Sequence, residues 1–336
     1  MDLNTLWFIL IVVLFSGFFV LEGFDYGVGT LLPFIAKNDT ERRVMLNTIG
    51  PHWDANEVWL LTAGGAIFAA FPNWYATLFS GFYLALFLIL LALIVRGVAI
   101  DFRSKRDESS WRKTWDILFS VGSFLPAVLF GVAVSNLMTG VPIDANMEYA
   151  GNFFTLLTPF TLLGGVTFLL VLTFHGMLFL GLKNGVNSIE QRIRSLSPKL
   201  GVAMLVVTVL WVVYAAFTTR LLSNGILPIL TVALAALLLI AAVLLQMREA
   251  TGKAFLCSSL AIVMVTITAF ASMFPNVMIS TTSPDFSLDI YNASSSPYTL
   301  KIMTIVALTA VPVVLGYLAW SYWVFRKRVT ERDLHY

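Results

Sequence analysis

Charge is what this chain of 336 residues has least of. Lys, Arg, Asp and Glu make up 12% of it, against 58% hydrophobic residues and a mean hydropathy of +0.85. Soluble domains carry about 25% charged residues, so a water-soluble fold is excluded and a bilayer is the expected solvent. Cysteine is nearly absent: Cys257 stands alone, which excludes an internal disulfide. Histidine is scarce, with only His52, His175 and His335. A haem held by two histidines would need a pair at matching depth. His52 and His175 are the conceivable pair, and hydrogen-bonded or interfacial histidines are the plainer reading. There is no C-x-x-C-H, no P-loop, no G-x-G-x-x-G after a strand and no cluster with metal-ligand spacing. The chain alone is therefore not read as a redox protein, and no haem or metal ligand is assigned to it. A cleavable signal peptide is not expected either, because a basic leader is missing, Asp2 follows Met1 and the first apolar run is too long. No soluble domain, linker, low-complexity tract or strong internal repeat interrupts the chain, so 1–336 reads as a single transmembrane helical domain.

What is present is length without charge. A spanning helix needs ~20 mostly apolar residues, and nine segments qualify, at about 6–34, 52–71, 74–98, 115–137, 154–182, 200–221, 226–246, 254–274 and 301–325. The second and third share the uncharged run 58–95, which "FPNW" at 71–74 divides; Pro and Asn supply a turn and Trp74 an interfacial anchor. The expectation is an all-α integral membrane protein, a polytopic bundle of nine transmembrane helices. Basic residues mark the cytoplasmic side. All of the 21 Lys and Arg except Arg96, Arg220 and Lys301 fall after segments 1, 3, 5, 7 and 9. This places the N-terminus outside and the C-terminus in the cytoplasm. Trp111, Trp115, Trp320, Tyr322 and Trp323 form an inner aromatic belt. The net charge of +2 reflects the same bias, and no nucleic-acid patch stands out. The longest outer connection, 276–299, is rich in Ser and Thr and is expected to be an ordered cap.

Against this background the intramembrane acids stand out, because ionisable groups in a bilayer usually pair or serve a pathway. Segment 1 carries Glu22 and Asp25, and segment 2 carries Asp54 and Glu57, each pair spaced i,i+3 and so on one helix face. Gly23 and Gly27 make a small-xxx-small pattern, as does "TAGGA" at 62–66, so the two helices are expected to pack with their acidic faces close. At ~1.5 Å per residue, Asp25 lies ~15 Å from the cytoplasmic end of segment 1, Glu22 deeper, and Asp54 and Glu57 within roughly 10 Å of the start of segment 2. Four carboxyls would then form a ladder from the cytoplasm toward the bilayer centre, as a proton relay requires. The plainer alternatives are that Asp54 and Glu57 serve as first-turn acids favoured by the helix dipole after Pro51, and that Asp25 makes a structural hydrogen bond to a neighbouring helix. Arg96 and Asp101 close segment 3 at the cytoplasmic edge, by snorkelling or ion pairing, or to anchor a partner subunit or a cofactor carboxylate. Asp116 reads as another first-turn acid.

"GFDYGVG" (23–29), "NDTERR" (38–43), "GPHWDANEVWLLTAGGAIFAAFP" (50–72), "FSGFY" (79–83), "DFRSK" (101–105), "GNFF" (151–154), "MFPNVM" (273–278) and "SSSPYTLKIMT" (294–304) occur in this order along nearly the whole chain. In these stretches the chain resembles subunit II of the cytochrome bd-type quinol oxidases. The resemblance implies a bacterial cell-membrane complex that reduces O2 to water with electrons from membrane quinol and builds a proton gradient without pumping. It implies that two b-type haems and one d-type haem, with the quinol loop, belong to a larger partner, subunit I, and that a very small single-helix subunit often joins. It further implies that Asp25 and Asp54 match aspartates linked to proton transfer, that Trp53 and Trp59 lie near the subunit interface, and that Arg96 and Asp101 support the haem region. Gly97 stands where some members have Pro, and the connection 223–225 is shorter than in some members.

Two other classes also keep carboxyls in a membrane. A proton-coupled secondary carrier would show discontinuous helices in two matching halves, and none is visible here. A purely structural assembly partner would carry the same carboxyls without using their protons.

Overall fold

The structure, a computed structural model, describes residues 2–334, so His335 lies outside it. Eleven α-helices follow one another: α1 (Leu3–Ile35), α2 (Asp39–Ile49), α3 (Trp53–Ala70), α4 (Pro72–Gly81), α5 (Tyr83–Phe102), α6 (Ser109–Thr139), α7 (Pro159–Lys183), α8 (Asn187–Thr218), α9 (Ile226–Met247), α10 (Thr251–Met273) and α11 (Pro297–Val324). Among the described residues, eight helices are long and apolar enough to cross a membrane; of the predicted spans only α3 is missing from that set. It has 18 residues and opens on the polar Asp54, Asn56 and Glu57. The predicted third segment is divided at Phe82 between α4 and α5.

α1 is the axis of the bundle. Asp2 caps it, accepting from the Thr5 N–H at 2.7 Å, and both of its flanks are buried against α3, α6, α7 and α10. Glycine sets a close crossing between α1 and α7. A Cβ on Gly27 would strike the Leu172 carbonyl and the Gly176 backbone of α7, and one on Gly176 would strike Gly27 in return. Gly23 likewise faces Leu172. The small-residue pattern thus joins α1 to α7 and not, as its neighbourhood in sequence suggested, to α3. α7 is accordingly the most enclosed span, with 72% of its apolar window buried.

α2 is a helix that the apolar count passes over. Asn38 caps it by accepting from the Glu41 N–H at 2.9 Å, while Val44, Met45 and Ile49 turn inward. Its acids tie the basic end of the bundle together. Arg103 donates to Asp39 and to Asp116, both at 2.6 Å, and Arg112 reaches Asp39 at 3.0 Å. Glu41 accepts from Ser188, from the Lys37 backbone N–H and from Arg192. Burial alone would raise both carboxyls, but Arg103, with Arg112 and Arg43, holds Asp39 below the ordinary carboxylate range, and the three donors do the same for Glu41. Asp116 is thus an ion-pair partner of Arg103 and Arg42, not a first-turn acid.

At the other end, 276–299 forms the ordered cap expected of it. β1 (Asn276–Met278) pairs antiparallel with β2 (Leu288–Asp289), and Val141 bridges to Ser280. Val277, Met278, Leu288 and Ile290 are buried beneath it with Trp7, Phe71 and Trp74. α11 stands apart, with only 6% of its apolar window buried in the chain. Near its start, Trp7 Nε1 donates to the Leu300 carbonyl and to Thr304 Oγ1, both at 3.1 Å. At its far end Tyr322 stacks on His52, and Lys183 Nζ donates to the Phe325 and Lys327 carbonyls. Pro312 lies inside the helix between these two ends, where it supplies no N–H to the ladder.

Candidate functional site

Two regions collect the polar residues of the spans. The first is a buried cluster on α1, α3, α5 and α11. Glu22 and Asp25, one turn apart on α1, are wholly enclosed. Arg96 of α5 is 1% exposed and pairs through Nη1 with Glu22 Oε1. Its guanidinium lies 4.9 Å from the centre of the Tyr26 ring, a cation–π contact that further supports a desolvated charge. Gly122 makes room for it, since a Cβ there would meet Ala92 O and Arg96 Cβ. The edge position foreseen for Arg96 is therefore corrected. The side chain is long enough to snorkel, but it turns inward and pairs with the Glu22 carboxylate in the apolar interior. Asp101 stays exposed and does not pair with it.

Asp25 has a different partner. Asn56 Nδ2 donates to Asp25 Oδ2 at 2.8 Å, and Tyr322 Oη donates to Asn56 Oδ1 at 2.7 Å. Asn56, itself fully buried, was not singled out by sequence. A lone amide in an apolar helix, one turn from Trp53 and opposite an acid, was the available signal. Around these contacts, Glu22 Oε2, Asp25 Oδ1, Tyr26 Oη, Arg96 Nε and Arg96 Nη2 are buried without a hydrogen-bond partner among the described residues.

The second region is a groove of about 990 Å³ between α3 and α5, which diverge from α4. Trp53, Asp54 and Glu57 on α3 and Gly97 and Asp101 on α5 line it at the basic end, and Leu60, Phe68, Leu86 and Leu90 line its apolar depth. Asp54 is exposed and Glu57 half-buried. The structure brings Asp54, Glu57, Trp53 and Asp101 to this groove and Glu22, Asp25 and Arg96 to the cluster. Asn56 points from the same helix turn as Asp54 and Glu57 toward Asp25. Trp59 packs its ring against Gly17 of α1, and Gly65 opens onto free space.

Two histidines lie within the described residues. His175 is fully buried, with Nε2 3.0 Å from the Val20 carbonyl and Nδ1 3.0 Å from Ser258 Oγ. The carbonyl only accepts, so Nε2 carries the hydrogen and Nδ1 accepts from Ser258. Neither nitrogen is free to ligate iron. His52 stacks on Tyr322 with ring centres 4.1 Å apart. Among the described residues, no three His, Cys, Asp or Glu side chains converge as a metal site.

Comparison with known proteins gives a consistent result. Residues 3–325 match the family described as cytochrome bd terminal oxidase subunit II. The chain is 43% identical to the cytochrome bd ubiquinol oxidase subunit 2 of Bacillus subtilis, covering 99% of this chain and 98% of that one. It is 39% identical to the cytochrome bd-I ubiquinol oxidase subunit 2 of Escherichia coli K12, over 99% and 96%. The fold resembles a chain in the structure of the bd oxidase from Geobacillus thermodenitrificans with a TM-score of 0.80, covering 97% of this chain and 99% of that chain at 14% identity.

Proposed function

The chain belongs to the cytochrome bd terminal oxidase subunit II family, and on that premise we propose that it conducts protons from the cytoplasm toward an oxygen-reducing site held by its partner. It is a multi-pass protein of the bacterial plasma membrane and a subunit of a cytochrome bd quinol oxidase. In our reading it spans the membrane nine times as one domain, α3 and the α4–α5 pair supplying the second and third crossings, with the N-terminus outside and the basic end cytoplasmic. Subunit I carries the two b-type haems, the d-type haem and the quinol site, and a small single-helix subunit completes the complex. This chain ligates no cofactor and is not catalytic alone.

The observation that carries the proposal is Asp25. It is fully buried, one carboxyl oxygen is held by Asn56, and the other has no hydrogen-bond partner among the described residues. Burying a carboxyl in an apolar interior is expensive, and a purely structural acid would be expected to use both oxygens. Asp54, exposed at the groove mouth, takes up the proton, and half-buried Glu57, one turn away, shares that step and can substitute for it. Asp25 Oδ1 receives the proton. Glu22 pairs directly with Arg96, and Glu22 Oε2 is a second acceptor on the route. Trp53, Trp59 and Asp101 frame the side on which subunit I packs.

Asp25→Asn keeps volume and hydrogen bonding but removes the acidic proton. In the purified complex with full haem content, it should lower oxygen consumption. Turnover at the wild-type rate across neutral pH would make Asp25 a structural residue and place the route elsewhere. The absence of a d-type haem spectrum in the co-purified complex would favour a carrier.

A further inference from the structure

Asp25 sits at one end of a chain of two hydrogen bonds that can run in either direction. Asn56 offers an N–H2 group and an oxygen that differ only by a half-turn of the amide. As observed, the N–H2 faces Asp25 Oδ2 at 2.8 Å and the oxygen faces Tyr322 Oη at 2.7 Å. This arrangement suits an ionised carboxylate. After a half-turn, the amide oxygen would accept from a protonated Asp25, and the N–H2 would donate to Tyr322 Oη, which accepts as readily as it donates. Either state keeps two hydrogen bonds at the same heavy-atom separations. Asn56 Nδ2 also lies 3.4 Å from the Leu21 carbonyl oxygen, a weak bond that the half-turn gives up and that tips the pair slightly toward the observed state.

We infer that Asn56 and Tyr322 form a reversible amide clamp that holds Asp25 in both its ionised and its protonated form. They are positioning residues: they act through Asp25. The inference rests on the reading of Asp25 as a proton carrier. Its physical sense lies in the site's apolar surroundings, where a buried polar group left without its bond is strongly penalised. A lysine, an arginine or a fixed backbone N–H in place of Asn56 would favour the carboxylate alone, and an apolar side chain would favour the acid alone. Arg96 directs Nη1 to Glu22, and the hydrogen bond that holds Asp25 comes from Asn56. The clamp needs three helices, since Asp25, Asn56 and Tyr322 come from α1, α3 and α11. Tyr322 is held for the task by the His52 ring parallel to it, at an interplanar angle of 5°.

The test uses the purified oxidase complex containing Asn56→Leu, Tyr322→Phe or Asp25→Asn, each with haem content equal to the wild type. Three quantities are read: quinol-driven oxygen consumption, its solvent deuterium isotope effect, and the carboxyl C=O band in redox-difference infrared spectra, assigned to Asp25 by its loss in Asp25→Asn. Asn56→Leu should slow turnover on the order of tenfold, raise the isotope effect and shift the band. Tyr322→Phe should move all three in the same direction by less. If Asp25→Asn slows the enzyme while both clamp variants keep the wild-type isotope effect and band, the clamp is refuted and the proton reading stands. If Asp25→Asn itself turns over at the wild-type rate, the underlying reading fails and the clamp with it. Should Asn56→Leu fail to load haem, Tyr322→Phe decides alone, and unchanged values there overturn the clamp.

Discussion

Arg96 and Glu22 form an ion pair whose side chains are 1% and 0% exposed, joining α5 to α1 in the apolar interior of the bundle. Removing one member of such a pair strands a buried charge, at about 3–5 kcal/mol, whereas replacing both with apolar residues of similar volume can be neutral. Arg96→Met and Glu22→Leu should each abolish or strongly reduce recovery of the haem-loaded complex, and the double variant should recover part of it. Equal yields for the double variant and the worse single variant would show that the pair is not an energetic unit.

Asp54 and Glu57 share the groove mouth, one exposed and one half-buried. If both serve the same proton-uptake step, Asp54→Asn or Glu57→Gln alone should lower oxygen consumption mildly, and the double change should be severe. That non-additivity is the mark of coupled groups. Additive losses in complexes of equal haem content would separate their roles.

Gly27→Ala places a methyl group into the α7 backbone, whereas Gly65→Ala places one in open space. The first should lower thermal stability in detergent by the ~1–3 kcal/mol typical of overpacking. The second should be neutral or stabilising by up to ~1 kcal/mol, as expected for Gly to Ala within a helix. Equal melting shifts would contradict the backbone contact between Gly27 and Gly176.

Asp39 and Glu41 are held below the ordinary carboxylate range by the arginines and donors around them. A carboxyl whose folded value is depressed stabilises the fold fully above the unfolded value near 4 and loses that contribution as pH falls through the folded value. The attachment of α2 should therefore hold at neutral pH and loosen below ~pH 4. Hydrogen exchange of the α2 amides, corrected for intrinsic rates, should accelerate over that window; constant protection would show that these pairs contribute little.

The spans were legible because length and apolarity are one-dimensional. The segments 226–246 and 254–274 agree with α9 and α10 to within a few residues. α2 escaped because its inward residues Val44, Met45 and Ile49 are too few for an apolar run, and the break at Phe82 lies in a run with no charge to mark it. At the site, the acids were legible by their type, since a carboxyl in a bilayer is conspicuous, but partners were not. Arg96 was read with Asp101, five residues away in sequence, because the sequence cannot show that α5 turns it toward α1. Asn56 carries no charge, so nothing in a list of ionisable groups would select it. Its role exists only where α1, α3 and α11 meet.

α11 can be described as a beam. It is fastened near one end by Trp7 and at the other by Tyr322, with Lys183 gripping the carbonyls just beyond it, and it has a break in its hydrogen-bonded ladder at Pro312 between the fastenings. Between these fastenings the middle of α11 faces away from the rest of this chain. One of them is the hydroxyl that orients the amide beside Asp25. An outer helix and a buried acid thus share one fastening, the Tyr322 hydroxyl bonded to Asn56.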